Sequence, residues 1–566
     1  MRPNLLAFLL LLSGLAAAPS ARADDSDTCL ECHKAGGDGP EVKKDAFAKS
    51  IHGQNGVGCT DCHAGYSMGP HEGELPALSP EEAAVVARIQ KAVWGEGDKK
   101  ETITAPRALL ACKSCHAEVT DVYAGSVHAK WLVSDQKVAG PSCVTCHGAA
   151  HEIQKPAPYA PANGARVAVP ADRRALAKVC ESCHGNEEFA RAAGLNPETA
   201  VTYHDSIHGR MVRVGNAFAP TCVSCHAAAQ GGTHAIVAKG DPASTVYGKN
   251  RKDTCARCHK GANDNFAALI AHKPLQETGG NVVPHLVHIA FSYLTTLTLL
   301  FFAFHVLVDF VYELRQRLTR KKHGLSPADL KEVVRFDLHQ RIQHWFMLSG
   351  VILLGITGWP LRGAGSFEGA PIIGGRDAAP YSAAFMKALF GGAEGAAIWH
   401  RVGAVLIIIS SIYHLVYLTF LASRKRLPMS MLPLPKDALD MRDNILFMLG
   451  LKKDRPRFDR YMYLEKFDYW AVFWGIVMMV GTGFIFWFPV WFASWAPSWI
   501  ITAAQIVHGE EATLAITFLF VVHFYNVHLK PSIFPMNWAW LSGRITVDNL
   551  KHEHPLEYDR IKRDLE

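Results

Sequence analysis

A five-residue pattern, Cys-x-x-Cys-His, occurs seven times between Cys29 and His259 and constrains this chain more than any other feature. The seven copies contain all 14 cysteines of the sequence. In this pattern two thiols can add to the vinyl groups of one haem, and the histidine that follows is placed to bind the iron as proximal ligand. We therefore predict seven covalently attached c-type haems. The predicted attachment sites are Cys29, Cys32, Cys59, Cys62, Cys112, Cys115, Cys143, Cys146, Cys180, Cys183, Cys222, Cys225, Cys255 and Cys258, and the predicted proximal ligands are His33, His63, His116, His147, His184, His226 and His259.

Two other uses of paired cysteines stay open at this point. Thiolates from Cys-x-x-Cys pairs can hold structural zinc, and cysteines in an oxidising compartment can form local disulfides. Neither use explains why every second cysteine is followed by a histidine. The haem interpretation explains both the spacing and the histidine.

The composition of the 566-residue chain changes part-way along, which predicts more than one domain. The start combines Arg2, a short apolar run and Ala21-Arg22-Ala23, the pattern of a cleaved secretory signal; an uncleaved N-terminal anchor is the alternative. Export fits the chemistry, since c-type haem is attached outside the bacterial cytoplasmic membrane. We expect a signal peptide over residues 1–23, a periplasmic heptahaem cytochrome c domain over 24–280, a transmembrane domain over 281–535 and a cytoplasmic tail over 536–566.

A second series of histidines runs between the haem motifs and makes an internal repeat. Each of the first three repeats contains two motifs, with a Ser-x-His segment between them and a single histidine after the second motif. The seventh motif is half a repeat. This series supplies one distal ligand for each haem, and the predicted distal ligands are His52, His71, His128, His151, His208, His234 and His272. His204 is left over, and it either replaces His208 as a ligand or lies on the surface.

Two histidines on each iron would saturate the metal. This favours electron transfer over catalysis at a c haem, because a reductase needs an open position on the iron. A reductase acting at a c haem stays open as an interpretation only if one distal histidine is absent. The sequence does not show which distal histidine serves which haem.

Five apolar segments in the second half of the chain are long enough, or nearly so, to cross a bilayer. They cover roughly residues 282–312, 342–361, 396–421, 469–491 and 500–528. The loops after the first and third segments are rich in Lys and Arg, so the positive-inside rule places both in the cytoplasm. The chain is then a multi-pass protein of the bacterial inner membrane and its lipid bilayer, with the c-haem domain in the periplasm and the C-terminus in the cytoplasm. Since many basic residues serve this purpose, the net charge of +6 does not indicate a nucleic-acid partner, and we expect none.

Histidines within membrane spans are candidate functional residues, because a polar ring is unfavourable in the bilayer. His400 and His508 lie toward the periplasmic ends of the third and fifth segments, and His344 and His523 lie toward the cytoplasmic ends of the second and fifth. A b-type haem needs one histidine from each of two helices at a matching depth. We therefore predict two b haems, one held by His400 and His508 and the other by His344 and His523.

The other histidines of this region have open roles. His305 and His414 are left over within the spans, and His285, His288 and His528 lie near the membrane edges. His285 or His288 can also replace His272 on the seventh c haem, which would bring that haem to the bilayer.

Several short motifs occur between residue 341 and about residue 535. They are Arg341-Ile-Gln-His344-Trp345, Thr357-Gly358, Trp399-His400-Arg401, Thr482-Gly483, and His508 followed by His523-Phe-Tyr525. In these motifs the region resembles the dihaem cytochrome b subunits of formate dehydrogenase, nickel-iron hydrogenase and thiosulfate reductase, which oxidise or reduce quinone. The resemblance implies that the same four histidines bind two b haems, paired as above. The whole chain looks like the inner-membrane quinol-oxidising cytochromes of metal-reducing bacteria.

The region before the fourth span departs from that family. Where the family has Asn-x-x-Gln, this chain has Tyr461-Met-Tyr463-Leu-Glu465-Lys466, and it also has an additional first span. In the family this region borders the cytoplasmic-side haem and the quinone, so Glu465 is a candidate catalytic proton acceptor for a quinol hydroxyl. A salt bridge with a cytoplasmic Arg or Lys is the alternative for this side chain.

Together these observations predict a mainly α protein, with an irregular multihaem c-type domain followed by a five-helix transmembrane cytochrome b bundle. They favour a quinol:cytochrome c-type oxidoreductase of anaerobic respiration. It would take electrons from the membrane pool of quinol, such as menaquinol, and pass them through two b and seven c haems to a soluble periplasmic cytochrome c or other periplasmic redox protein. The alternative is an anchor and electron-relay subunit for a separate periplasmic oxidoreductase, with electrons flowing inward to quinone.

Overall fold

The computed structural model divides the chain into two compact units. One comprises Met1–Pro197 and Pro220–Thr254, and the other comprises Glu198–Ala219 and Cys255–Glu566. The structure describes residues 29–31, 33–37, 41–63, 80, 112–113, 115–132, 140–148, 150–153, 173–227, 232–269, 272, 282–319, 329–363 and 379–565. The predicted signal peptide, Cys32 and His71 lie outside the described residues.

The first unit is built from short helices joined by irregular segments. The helices are Lys44–Lys49, Ile51–Gln54, Cys59–Cys62, Ala117–Ala124, Val127–Leu132, Cys143–His147, Arg173–His184, Glu187–Ala192 and Cys222–His226, with single 3-10 turns at Ala150–Glu152 and Gly248–Asn250 and the helix Arg251–Ala256 at the unit's end. In Cys143–His147 and Cys222–His226 the haem motif is itself a helical turn, so its cysteines and histidine fall on one face. The buried apolar residues described in this unit are mostly alanines, so its side chains alone make a small core.

In the part of the chain that the structure describes, five helices of the second unit are long and apolar enough to cross a membrane. This confirms the predicted five-helix membrane part of a mainly α, multi-pass protein. They are α1 Val282–Thr319, α2 Leu338–Gly363, α3 Ala393–Ser423, α4 Tyr463–Trp487 and α5 Trp499–Phe518. The last continues as two π-helical turns, Leu519–His523 and Tyr525–Leu529. α4 ends earlier than expected because Pro489 follows, and the residue before a proline is driven out of the helical region.

Shorter helices complete the second unit. They are Thr199–Asp205, Ile207–Arg213, Asp264–Ala267, Ala379–Phe390, Pro435–Met448, Pro489–Ala493, Ala539–Ser542, Val547–Glu553 and Pro555–Leu565, with a 3-10 turn at Met429–Met431. The first three belong to the haem-motif region of the sequence, yet they fold with the membrane helices.

Small residues let α2 and α3 approach closely. A Cβ on Gly350 would lie 2.8 Å from Cδ1 of Ile407, and a Cβ on Gly403 would lie 3.0 Å from Cγ of Leu354. Small residues that let two helix backbones approach are typical of helix packing in lipid. There, apolar side chains gain little free energy by moving from contact with lipid tails to contact with another helix. The additional first helix, α1, packs on α5 through larger side chains, including Phe302 and Phe518.

Two polar contacts define the ends of the bundle. Strand β1, Glu332–Val334 between α1 and α2, pairs antiparallel with strand β2, Arg544–Thr546 after α5. The connection after α1 and the C-terminal segment therefore lie on the same side. At the other end, Asn265 contacts the connection between α4 and α5. Its side-chain amide group donates to the Ala493 carbonyl oxygen at 2.9 Å, and its side-chain oxygen accepts from the Ser498 backbone amide at 3.2 Å. The segment after the seventh haem motif is thus fixed to the opposite end of the bundle.

Candidate haem-binding sites

Among the residues of the first unit that the structure describes, four pairs of histidines face each other at a nearly constant separation. The ring centroids are 6.2 Å apart for His52 and His116, 6.1 Å for His63 and His151, 6.4 Å for His128 and His184, and 6.0 Å for His147 and His234. An imidazole nitrogen binds a metal at about 2 Å and the ring centre lies about 1 Å beyond the nitrogen, so two axial ligands of one iron have centroids about 6 Å apart. The four separations fit one iron between each pair of rings.

A fifth pair of this kind lies in the second unit. The centroids of His208 and His259 are 6.2 Å apart. Burial lowers the pKa of His208 to about 4, and the neighbouring His259 adds to the effect. Burial also lowers the pKa of the His63, His128, His234 and His259 side chains. These rings are therefore neutral at pH 7, which is the form that binds a metal.

Each pair joins two different repeats. The Ser-x-His histidine of one repeat faces the first motif of the next repeat, as in His52 with His116, His128 with His184, and His208 with His259. The single histidine after the second motif faces the second motif of the preceding repeat, as in His151 with His63 and His234 with His147. Haems held in this way would lock neighbouring repeats together, and would compensate for the small apolar core described in the first unit.

The serine of each Ser-x-His segment has a structural role that the sequence pattern did not reveal. Ser50 Oγ accepts from the Gly53 amide at 3.0 Å, Ser126 Oγ from Ala129 at 3.1 Å and Ser206 Oγ from Gly209 at 3.2 Å. Each serine therefore caps the N-terminus of the short helix that carries the distal histidine. Glycine follows the histidine in two of the repeats because a Cβ on Gly53 or Gly209 would collide with the carbonyl oxygen of Phe47 or Tyr203.

The structure describes the other predicted c-haem ligands only in part. No disulfide bond and no cluster of three or more His, Cys, Asp or Glu suited to a metal ion occurs among the residues that the structure describes. The Nδ1 of His272 is 3.0 Å from the Thr199 carbonyl oxygen, a contact that would direct Nε2 toward a metal. The role of His272 as a distal ligand stays a prediction. The distal ligands of the haems of His33 and His226 also stay predictions.

Within the membrane helices, His400 of α3 and His508 of α5 form a similar pair, with ring centroids 6.4 Å apart. The Nδ1 of His400 lies 2.9 Å from Thr357 Oγ1, and the Nδ1 of His508 lies 2.8 Å from Thr482 Oγ1. The predicted ligands of the periplasmic-side b haem are thus brought together, each with the same type of neighbour.

The threonines fix which ring nitrogen can bind iron. Each hydroxyl donates its proton to a carbonyl in its own helix, Thr357 to Leu353 and Thr482 to Met478, both at 2.6 Å. Each hydroxyl oxygen can then accept only from a histidine Nδ1–H, so Nε2 keeps its lone pair for a metal. The glycine after each threonine leaves room for the ring, since a Cβ on Gly358 would lie 3.1 Å from Cε1 of His400.

A cavity of about 1120 Å³ lies between the helices at this pair. It is larger than common small-ligand pockets, which occupy about 300–1000 Å³. His400 and His508 line it together with apolar side chains such as Leu354 and Met479. The helix Ile207–Arg213, which carries His208, lines the same cavity. A predicted c-haem ligand and two predicted b-haem ligands therefore stand on elements that share one cavity.

Comparison with known proteins supports the c-type cytochrome part. A protein-family model described as cytochrome c554 and c-prime matches residues 13–64, which contain the first two Cys-x-x-Cys-His motifs. No curated protein matches the chain. The match covers a c-type cytochrome region, and the five apolar helices fit a membrane cytochrome b. The chain thus combines a haem c region with a multi-pass membrane region, as in membrane electron transfer.

The contacts of the second predicted b-haem pair, His344 and His523, differ from those of His400 and His508. His523 Nδ1 donates to Asp468 Oδ2 at 2.5 Å, and this carboxylate would hold the ring with Nε2 directed to a metal. His523 lies in the π-helical turn Leu519–His523, a distortion common at functional sites. His344 is close enough to His523 for an electrostatic interaction, and its buried Nδ1 has no hydrogen-bond partner among the described residues. The haem of this pair stays a prediction.

His414 and His305, whose roles the sequence left open, have hydrogen-bond partners in the bundle. Both ring nitrogens of His414 are engaged, Nδ1 with Gln343 Oε1 at 2.8 Å and Nε2 with the Tyr469 hydroxyl at 2.9 Å. His305 is 2% exposed, and its Nε2 lies 2.8 Å from the Tyr463 hydroxyl. These contacts give the polar rings hydrogen-bond partners inside the bundle.

Glu465, the candidate proton acceptor, lies in a cluster of charges next to the C-terminal segment. Its Oε1 accepts from Arg335 Nη2 at 3.3 Å, and its Oε2 accepts from the Met462 amide at 2.8 Å. The Arg335 side chain is 3% exposed and also pairs with Glu557 at 2.7 Å. These contacts correspond to the salt bridge that the sequence left as the alternative, and the role of Glu465 in proton transfer stays a prediction.

Sequence reasoning missed Asp468. The fourth apolar segment was expected to begin after this residue, whereas α4 begins at Tyr463 and carries Asp468 on its second turn. An acidic residue inside a span would have been a strong functional signal. Thr357 and Thr482 were noticed as parts of Thr-Gly motifs, but only the structure shows that they contact the histidines.

Proposed function

We propose that this protein is a membrane-bound quinol dehydrogenase. It would pass electrons from a quinol through two b haems and seven c haems to a soluble periplasmic redox protein. The observation that carries the proposal is the cavity shared by His400, His508 and the helix of His208. This shared cavity supports the proposal, because electron transfer out of the bilayer requires a haem in the membrane close to a c haem.

The residues present fit the two kinds of haem. His400 and His508 would hold a b haem in the membrane, and His208 with His259 would hold the c haem attached at Cys255 and Cys258. Bound haem would supply a one-electron redox centre at each of these sites. Two histidines on each iron leave no open position, which suits electron transfer.

The cytoplasmic end of the same cavity is suited to a quinol. Tyr463, Lys466 and Asp468 line it, and Lys466 Nζ is 2.8 Å from Asp437 Oδ1, which also lines it. These groups can hydrogen bond to the hydroxyls of a quinol, while apolar neighbours such as Phe467 accommodate its ring and tail. Because Asp468 also binds His523, a quinol at this end would lie beside the second predicted b-haem site.

The direction of the protein in the membrane is part of the proposal. The basic loops favour a cytoplasmic position for the β1–β2 sheet, so the segment held by Asn265 at the opposite end would be periplasmic. Quinol oxidation at the cytoplasmic end and c haems at the periplasmic end would then send electrons outward.

One experiment tests this function. Haem is counted in the purified full-length protein by pyridine haemochrome, and a menaquinol analogue is then added while the b and c absorption bands are followed separately. We expect seven c and two b haems, with the b bands reduced first and the c bands following.

Two results would contradict the proposal. One is the absence of b haem. The other is that prereduced c haems lose electrons to added quinone while quinol reduces nothing, in which case the protein would be an inward relay for a periplasmic oxidoreductase.

A further inference from the structure

Two guanidinium groups lie at the periplasmic end of the shared cavity. Arg210 belongs to the helix Ile207–Arg213, and Arg362 lies in the last turn of α2. Both line the cavity together with His400 and His508. Arg210 is within electrostatic range of Arg362, and Arg362 is within range of His508. Two like charges are therefore held beside the candidate ligands of the b haem.

Acidic side chains lie near both guanidinium groups. Arg362 Nη2 donates to Glu510 Oε1 at 3.3 Å, and Arg210 has Asp205 within electrostatic range. The Nε of Arg210 is nevertheless buried, with no hydrogen-bond partner among the described residues. A buried guanidinium is unfavourable unless its N–H groups are satisfied. The site therefore suits a further anion.

The shape of the site favours a planar anion. A guanidinium binds a carboxylate through two parallel hydrogen bonds, which a compact ammonium cannot do. Gly509 leaves room for the Arg362 group, because a Cβ there would collide with Arg362 Nη1. A haem carries two carboxylates, as propionates, on one edge of its ring.

We propose that Arg210 and Arg362 bind the propionate carboxylates of the haem held by His400 and His508. This inference rests on the b haem of the proposed function. It gives the helix Ile207–Arg213 two tasks, since His208 binds the iron of the last c haem and Arg210 holds the carboxylate edge of the b haem. Arg210 is thus a positioning residue that sets the two haems side by side.

The test is a redox titration of the b haem in the full-length protein carrying Arg210→Gln, Arg210→Lys or Arg213→Gln. Arg213 is the matched control, because it lies on the same helix but is not among the residues that line the cavity, and its Nη2 donates to the His204 carbonyl oxygen at 2.9 Å. A cation near the iron favours the ferrous form, which carries one positive charge less. We expect Arg210→Gln to shift the ferrous-to-ferric ratio about tenfold toward ferric at a fixed potential, which is about 59 mV for one electron. Arg210→Lys should keep most of the potential, and Arg213→Gln should keep all of it.

A second readout separates a direct contact from a general disturbance. The resonance Raman propionate bending mode of the b haem should change in Arg210→Gln and stay unchanged in Arg213→Gln. Equal changes in Arg210→Gln and Arg213→Gln, or an unmoved potential and Raman mode in Arg210→Gln, would overturn the inference. A wild-type potential that follows the phosphate concentration would also overturn it, because a free anion would then occupy the site. Absence of b haem from the wild-type protein would instead refute the proposed cofactor.

Discussion

The imidazole rings of His208 and His259 are 6.2 Å apart, although the sixth haem motif lies between them in the sequence. His259 is the last residue of the seventh motif. This separation is that of two axial ligands on one iron. Both residues belong to the unit that contains the membrane helices, so the last predicted c-haem site is part of that unit.

Replacing His208 by Ala should therefore leave one c haem with an open axial position. We expect that haem to become high-spin and to bind carbon monoxide, which a haem with two histidine ligands does not do readily. Carbon monoxide difference spectra of the reduced protein measure this directly. The matched control is His204→Ala, four residues earlier in the sequence, which should give no new carbon monoxide band. A band in the control and none in His208→Ala would make His204 the ligand.

The threonines beside His400 and His508 should control the affinity for b haem. Thr482→Val keeps the shape of the side chain but removes the oxygen that accepts from His508 Nδ1. We expect about 10–100-fold weaker haem binding, the usual effect of losing a partner of a metal-ligating histidine. Thr357→Val should act in the same way on His400.

The measurement is the ratio of b to c haem in protein produced with limiting haem. The covalent c haems serve as an internal standard, because they cannot dissociate. Thr482→Ser, which retains the hydroxyl, is the control and should keep the wild-type ratio. If the valine and serine variants hold the same amount of b haem, the hydrogen bond has no role in binding it.

The additional first helix is fixed by a buried ion pair at the end of α5. Lys530 Nζ lies 3.1 Å from Asp309 and 3.4 Å from Glu313, and the Tyr525 hydroxyl donates to Asp309 at 2.7 Å. Burial alone would lower the pKa of Lys530, but Asp309 and Glu313 raise it by a larger amount. The net effect is a raised pKa, so this group stays charged at pH 7.

Lys530→Met should lower the free energy of unfolding by about 3–5 kcal/mol, because two buried carboxylates would lose their cation. The change is measured by reversible unfolding in mixed micelles. Lys452→Met is the control: Lys452 is 43% exposed and pairs with Asp443 at 2.6 Å, so its loss should cost about 0–1 kcal/mol. Equal effects of the two substitutions would contradict the importance of the buried pair.

The sequence predicted those features that depend on residue type and spacing. The apolar length of each segment was enough to predict five spans. The Cys-x-x-Cys-His motif and the second series of histidines were together enough to identify the residues that later appear as facing pairs. The pairing itself was not accessible, because it depends on which repeats pack together. His147, for example, faces His234 from the next repeat rather than the histidine that follows its own motif.

Other features were hidden because they depend on three-dimensional proximity. Arg210 lies in the haem-motif region of the sequence, and nothing in its neighbourhood indicates that it lines a cavity with His400. Asp468 was hidden because the apolar length of α4 was underestimated at its start. The local sequence pattern was therefore enough to predict the candidate ligands. The groups that surround these ligands could be identified only from the three-dimensional structure.

The role of Glu465 is open to a direct test, because its two interpretations predict different rates. As a proton acceptor for quinol, it would contribute about 10²–10⁴-fold to the rate, and Glu465→Gln would slow quinol-dependent reduction of the haems by that factor. Reduction by dithionite should stay normal, since it does not require a proton acceptor. As a partner of Arg335 alone, a side chain that is 36% exposed would contribute about 0–1 kcal/mol to stability and nothing to the rate.

Glu557→Gln is the matched control for this test. Glu557 shares the Arg335 guanidinium at 2.7 Å and is also bound by Arg460, so its loss disturbs the same ion-pair cluster. If Glu465 accepts the proton, Glu465→Gln is slow while Glu557→Gln reacts at the wild-type rate. If both variants react at that rate, the proton must leave the quinol through another group. The cavity-lining residues Tyr463 and Asp468 would then be the next to replace, because they lie where the ring of a bound quinol is proposed to be.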